Sequence, residues 1–470
     1  MQQRVRQLNR APGPKPAQYV LYWTQMDRRA EANFGLNFAA ALANEQNLPL
    51  LVYEGLTFAY PQANDRIHTF MLQAVPGTAR DMRKLGAGYC FYLRRNRPDP
   101  NDVLYRLAGQ AAAVITDDYP TSIAARHYRS VPGKIGVPFY AVDSSCIVPM
   151  SCHDKQAYGA YTIRPRIHKL LPEYLKPAPE VKLKRRWPAS AADGIASWHT
   201  EVTPRNIVRL VASCDIDHRV SPSISFDGGR RQAEKHLAHF LARNLRRYAR
   251  DRNEPSRHAT SNLSPYLHFG HISALEAALA AKEHARRYDL IADEFLEELI
   301  VRRELAFNFA RFAGNLESFA DLPAWCKLNL QKHAGDARDP VYGLPQFEAA
   351  ETHDPLWNAT QKELLIRGKV HGYYRMYWGK KIIEWSPTFE DALHIMIHLH
   401  DRYALDGRDP NTYSNILWCF GLHDRPWPER PIFGKFRWMS FDGMKRKTDV
   451  QAYIDEIEQL ARTGEDPFKL

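Results

Sequence analysis

The sequence predicts two architectures in one chain: an N-terminal α/β domain built on a parallel sheet and a C-terminal all-helical domain, joined by a long linker. Three observations predict it. Short apolar runs alternate with amphipathic stretches between residues 19 and 143, the mark of strand–helix–strand units. Prolines and basic residues then dominate from 144 to 228 without a sustained period, as in a connecting segment. From 229 to 470 apolar residues recur at helical spacing.

Residues 1–18 are polar and basic and read as an N-terminal extension. No signal peptide is expected there, and no apolar run reaches the ~18 residues that a membrane helix needs. The expected strands are residues 19–24, 48–54, 88–93, 112–116 and 137–142, with helices between most of them, as over 29–44 and 66–85. No Gly-x-Gly-x-x-Gly follows the first strand, so the usual dinucleotide-binding turn is missing. In the linker, residues 182–188 (KLKRRWP) form the densest basic stretch; a solvated charge run is expected there rather than a dedicated DNA contact. In the helical domain Ala233, Leu237, Phe240, Leu241, Leu245 and Tyr248 share one helix face. Helical patterns continue through 293–312, 360–385 and 389–402.

Hydrophobic residues make up 44% of the chain, enough for a large core without covalent staples. The six cysteines are scattered with no Cys-x-x-Cys, which argues against a zinc ribbon or iron–sulfur cluster and fits a reducing compartment. A cytoplasmic location is expected, associated with the nucleoid through DNA or nuclear in a eukaryote. The net charge of +11 is a weak preference for a polyanionic partner.

Four segments carry candidate chemistry. In 295–312 (FLEELIVRRELAFNFARF), Glu297, Glu304, Asn308 and Arg311 stand at spacings of 7, 4 and 3, one stripe of an unbroken helix. Buried carboxylates are costly without partners, so the stripe faces either solvent or a polar cleft. In 371–385 (HGYYRMYWGKKIIEW), Arg375, Trp378, Ile382 and Trp385 share a face, with the two indoles about 10.5 Å apart along the axis. Such a pair is ordinary core, but Trp357 supplies a third indole for a redox chain. In 399–411 (LHDRYALDGRDPN), Asp406 and Asp409 lie in a helix-to-loop transition whose spacing is not that of an EF-hand; no metal is assigned. In 418–430 and 433–447, aromatics interleave with Arg and Lys, among them Trp418, Arg425, Trp427 and Arg430, a composition suited to bases and phosphates or to a Pro-rich surface loop. A fifth segment, 266–273 (YLHFGHIS), with GMKRK downstream, loosely imitates the ATP signatures of class I aminoacyl-tRNA synthetases, but it lies in the helical half rather than after the first strand.

Taken together, 260–273 (TSNLSPYLHFGHIS), 295–305, 354–359 (DPLWNA), 371–385, 405–411 and 418–439 resemble, in order and spacing, the class II cyclobutane pyrimidine dimer photolyases of the photolyase/cryptochrome superfamily; the likeness covers essentially the whole chain. The resemblance implies FAD in the helical domain. Tyr248, Thr260, Ser261, Asn262, Leu263 and Ser264 would cradle it, with Arg375 and Asp406 as a salt bridge beside the ring and Asp409 nearby. Trp378, Trp385 and Trp357 would carry electrons, and Glu304, Met376 and Trp418 would form the lesion pocket, with Glu304 hydrogen-bonding the thymine carbonyls. Arg425, Trp427 and Arg430 would add contacts to DNA. An antenna chromophore, a deazaflavin or a folate, would belong to the α/β domain. The implied partner is duplex DNA containing pyrimidine dimers, the implied reaction is light-driven carbon–carbon bond cleavage, and a monomer is expected. The chain departs from the family's pattern at His400 (usually Asn, beside flavin N5), Phe307 (usually Asp) and Gly379 (commonly Ala). A His400 imidazole titrating between about pH 5.5 and 8 is expected to tune the flavin. A cryptochrome-like photoreceptor that binds FAD without repair is the alternative.

Overall fold

The computed structural model describes residues 1–13, 16–188, 195–466 and 468–470. Its sheet has six strands in the order β1-β6-β5-β2-β3-β4, where β1 is Val5–Gln7, β2 Tyr19–Thr24, β3 Leu50–Thr57, β4 Gly88–Arg94, β5 Ala111–Asp117 and β6 Phe139–Val142. All neighbours are parallel except β1, which pairs antiparallel with β6. Every residue of β2 is buried, as expected of a parallel strand covered on both faces. Helices Phe34–Glu45 and Asp65–Leu85 begin on Asn33 and Asn64, whose side chains accept from the N–H groups of Leu36 and Ile67, and so satisfy otherwise orphaned donors.

Two expectations are corrected. The first 18 residues are not merely an extension, because they contribute β1. The buried Arg4 beside that strand donates to the carbonyls of Asp143, Cys146 and Ile147 at 3.1, 2.8 and 2.6 Å. The linker, in turn, contains the 15-residue helix Ala160–Tyr174, whose Pro165 and Pro172 hide its period. It also docks on the sheet: Trp187 stands so close to Gly88 that a Cβ there would fall 2.4 Å from the indole.

The carboxyl edge of the sheet, where open α/β folds normally take ligands, is covered here by the helical domain. Asp117 collects the N–H groups of Gln25, Met26 and Asp27 at 2.8, 2.8 and 3.0 Å. Arg28 and Arg29 then reach the carbonyls of Phe269 and Gly270 at 3.3 and 3.2 Å. Gly270 has φ +69°, and a Cβ would sit 1.9 Å from the Met26 carbonyl; only glycine permits this approach. The His-Phe-Gly-His segment is therefore structural: His268 meets Asp409 at 3.2 Å and His271 accepts from the Gly229 N–H at 3.1 Å, both rings buried.

The helical chain divides its apolar residues between two cores. Residues up to Leu305, with Leu405, join the core of the α/β domain, whereas the others from Phe309 to Leu460 form a second one. Tyr248 and Leu263 belong to the first, Trp357 and Trp378 to the second, so the expected cofactor site is assembled from both halves.

Candidate active site

Helix Gly372–Trp385 places Arg375 in its first turn. The guanidinium donates to Asp406 at 3.1 and 3.2 Å and to the Val370 carbonyl at 3.1 Å. Burial alone would raise the Asp406 pKa, but the charges of Arg375 and Lys369 beside it hold the carboxyl far below its usual range; the Ser264 hydroxyl assists. Asp406 is thus a fixed anion in contact with both Arg375 and the 260–264 loop. In that loop Asn262 is left-handed, with φ +55°, and Thr260 donates to its side chain at 3.2 Å. Among the described residues none of the backbone N–H groups from Thr260 to Ser264 donates to protein. A run of unpaired N–H groups with hydroxyls beside it suits a diphosphate. Arg375 Nε and His400 Nε2 are likewise buried without a partner, which is costly unless a bound group supplies acceptors and donors. The residues present therefore fit a dinucleotide such as FAD. Tyr248 packs edge-to-face on Phe240 and Phe295 at 5.5 and 5.7 Å.

His400 does not titrate where the sequence placed it. Burial, reinforced by Arg375, lowers its pKa to about 3, so the ring is neutral at ordinary pH. Its tautomer follows from one neighbour. The Thr412 hydroxyl gives its proton to the Asp406 carbonyl at 3.1 Å, so at the 3.4 Å contact with His400 Nδ1 it accepts. Nδ1 then carries the hydrogen and Nε2 is a bare acceptor.

The three tryptophans of the expected relay are brought together, with Trp357 in the middle. Its ring lies 6.4 Å from Trp378 at 5°, and 6.3 Å from Trp385 at 69°. Trp357 Nε1 donates to the Trp378 carbonyl at 3.0 Å and Trp378 Nε1 to Gln361 at 2.9 Å. All three are buried. Trp378 lies one turn from Arg375, while Trp385 abuts the exposed His353 at 4.8 Å.

A second aromatic set is faced by cations. Trp418 ends helix Pro410–Trp418; Lys380 and Arg437 stand 5.2 and 5.8 Å from its ring. Arg437 and Arg425 cover Trp427 at 4.9 and 4.8 Å, and Arg430 covers Trp438 at 4.5 Å. Gly434 and Arg430 form an antiparallel bridge that closes this loop. Met376 is half-buried on the same helix as Lys380, one turn before it.

Glu304 and Asp409 do not lie where the resemblance put them. Glu304 Oε1 accepts from the N–H groups of Ile147 and Val148 at 2.6 and 3.2 Å, and burial pushes its pKa up to about 8. Asn308 bonds Ala157 and Lys155, and Arg311 bonds Asp118. Glu304 and Asn308 thus form an interdomain seam, and Arg311 lines the cleft beside it. A π-helical turn over Glu297–Arg302 inserts a residue and rotates everything before it by about 100° relative to these three. Glu297 leaves the stripe and pairs with Arg164. Asp409 is already engaged by Tyr119 at 2.6 Å and His268 at 3.2 Å, so it ties the domains rather than holding a cofactor.

One pair escaped the sequence reading. Glu298, on the π turn, is bound by Arg252 at 2.6 Å; the Arg252 guanidinium lies 5.9 Å from the Tyr248 ring, and its carbonyl meets His371, the cap of the Arg375 helix. The pair thus adjoins Tyr248, a residue of the expected cofactor site. A spacing of 46 residues leaves no local pattern to find it by.

Residues 20–183 match the DNA photolyase family. Similar along nearly their whole length are proteins named deoxyribodipyrimidine photo-lyase. That of Methanothermobacter thermautotrophicus is 39% identical over 97% of this chain and 98% of its own. That of Oryza sativa is 38% identical, over 96% and 89%; that of Potorous tridactylus is 37% identical, over 94% and 81%. Among solved structures, a cryptochrome from Synechocystis superposes with a TM-score of 0.71 at 17% identity over 95% of this chain and 91% of that one. A class III photolyase from Agrobacterium tumefaciens gives 0.65 at 17% identity over 97% and 90%. Those two likenesses show the fold.

Proposed function

This chain belongs to the DNA photolyase family, and on that premise we propose that it repairs cyclobutane pyrimidine dimers in DNA by light, as a class II enzyme holding FAD. The observation that carries the proposal is one helix with two environments: Arg375 and Trp378 look toward the relay and the dinucleotide-compatible cleft, while Met376 and Lys380 adjoin the cation-faced Trp418. The class II assignment rests on the order and spacing of the motifs.

When bound, FAD supplies the photoexcited electron that splits the cyclobutane ring and recovers it afterwards. The protein's part is binding, orientation and charge. The Thr260–Ser264 amides would hold its diphosphate, and the Arg375–Asp406 pair would supply fixed charge to the same site. Arg425, Arg430 and Arg437 bind phosphates. A dimer stacks and pairs poorly, so flipping it out costs less than flipping an intact base; Trp418 and Met376 then pack on it. Glu298, held by Arg252, takes the role first expected of Glu304 and hydrogen-bonds the pyrimidine carbonyls as negative charge develops there. Trp378, Trp357 and Trp385 pass electrons inward from the His353 side. A cleft of about 1170 Å³ between the domains, lined by Arg6, Arg126, Tyr128, Arg311 and His394, is of a size for a deazaflavin or folate antenna.

The test is illumination of the purified, FAD-loaded protein with a dimer-containing oligonucleotide. Dimers are expected to disappear in light and persist in the dark, and Glu298→Gln to lower the yield per photon more than the affinity. Dimers that persist under illumination would overturn repair and leave the photoreceptor reading.

A further inference from the structure

Lys380 is a buried cation that the reaction outlined above leaves unused. It sits mid-helix with no solvent exposure. Its ammonium donates to the Cys419 carbonyl at 2.6 Å, and among the described residues it has no carboxylate within ion-pair distance. Its neighbour Lys381, by contrast, is paired with Glu384 at 2.6 Å. An ammonium has three hydrogens to place, and burying one without a counter-charge is expensive. Beyond that carbonyl its surroundings are two aromatic faces, Trp418 at 5.2 Å and Phe433 at 6.0 Å. Cys419 is the C-cap of helix Pro410–Trp418, where the carbonyl dipoles present partial negative charge. One group thus caps the helix that carries Trp418 and faces its indole, while Arg437 faces the same ring.

We propose that Lys380 is a positioning residue for damage recognition: its charged form fixes the pose of Trp418 and so sets the preference for dimer-containing over undamaged DNA. The inference rests on the proposed repair function. Uncharged Lys380 loses both the attraction to the ring and its hold on the helix end. Burial lowers its pKa to about 8, with Cys419, Asp424 and Cys326 working the other way and Arg437 adding to the fall. Of the groups facing it, burial raises the Cys419 and Cys326 thiols to about 11 and about 12, and Asp424 accepts from Trp427 Nε1 and the Arg425 N–H at 3.2 and 2.8 Å.

The experiment compares binding of dimer-containing and undamaged duplexes by the FAD-loaded parent, Lys380→Met and Lys380→Arg from about pH 6.5 to 9.5, with tryptophan emission of the DNA-free proteins read alongside. In the parent the preference should fall about fivefold around a midpoint near 8, with binding to undamaged duplex nearly flat. Lys380→Arg should hold the preference to high pH, and Lys380→Met should start low and stay flat. Emission should titrate near the same midpoint in the parent and not in Lys380→Met or Trp418→Phe. A parent whose preference is constant across the range, or a Lys380→Met with the parent's preference, overturns the proposal with repair intact. A parent without preference at any pH overturns the repair function itself, and the proposal with it. If Lys380→Met does not fold, Lys380→Arg against the parent decides by the same pH profile.

Discussion

Two sets of tryptophans occupy one half of this molecule and differ in what chiefly covers their rings, with Lys381 bridging their margin at 5.4 Å from Trp385 and 5.8 Å from Trp438. Trp357, Trp378 and Trp385 lie ring against ring at 6.3–6.4 Å, buried. Trp418, Trp427 and Trp438 lie ring against cation, at 4.5–5.8 Å from Lys380, Arg425, Arg430 or Arg437. Indoles in van der Waals reach of one another suit electron hopping; indoles flanked by cations suit bases stacking beside phosphates. Residue type alone assigns neither role. What separates them is that helix Gly372–Trp385 turns its Trp-bearing side inward and its Lys380 side toward the 418–438 segment.

The largest expected effect breaks the first set. Trp378→Phe should nearly abolish photoreduction of oxidised FAD, followed by absorbance under illumination, while DNA affinity stays at the parent's level. Trp427→Ala should do the reverse, weakening DNA binding by about 1–3 kcal/mol with photoreduction unchanged. Loss of both properties in either variant would erase the distinction.

Next in size is the seam that resembles neither set. Glu304→Ala leaves the N–H groups of Ile147 and Val148 unpaired, at about 1–3 kcal/mol each, and should lower Tm, whereas Glu304→Gln keeps an acceptor and should not. Because the folded pKa of Glu304 is raised to about 8, its contribution is complete below the ordinary carboxylate pKa and is lost as pH rises through 8. The Tm of the parent, level with that of Glu304→Gln at low pH, should therefore fall below it from pH 6 to 9; a parent that gains on Glu304→Gln over that range would mean the carboxyl is ionised in the fold.

Arg430→Ala, at the exposed rim of the second set, should weaken binding to damaged and undamaged duplex alike by a few-fold and reduce the salt slope by about 1. The smallest effect is at His400. With its pKa at about 3, the absorbance of bound FAD should be level between about pH 5.5 and 8, in the parent as in His400→Asn. A parent-specific titration in that window would restore the switch expected from the sequence.

The alternation of strands and helices, and the change to helix beyond residue 229, were legible because both are periodic over many residues. Strand β1 was not: three residues hold no period, and it is recruited by pairing with β6. The helix at Ala160–Tyr174 was hidden by Pro165 and Pro172. Of the candidate site, Arg375, Asp406, Trp357, Trp378 and Trp418 were singled out through their motifs, and the structure adds which of them touch. Glu297 was placed on the wrong face because a stripe inferred at 3.6 residues per turn does not survive an inserted residue, the lesion-pocket role of Glu304 was implied by the resemblance alone, and the Glu298–Arg252 pair leaves no mark in either local segment. The charge of His400 was not legible in the sequence, since its burial beside Arg375 depends on the fold.

The division between a relay and a recognition face is tested most directly by repair from chemically reduced enzyme. With FAD reduced beforehand, Trp378→Phe should repair a dimer-containing oligonucleotide in light at the parent's yield per photon and not at all in the dark, because the relay is needed only to reduce the cofactor. A variant that cannot repair even when reduced, or dimers that vanish without light, would contradict the account.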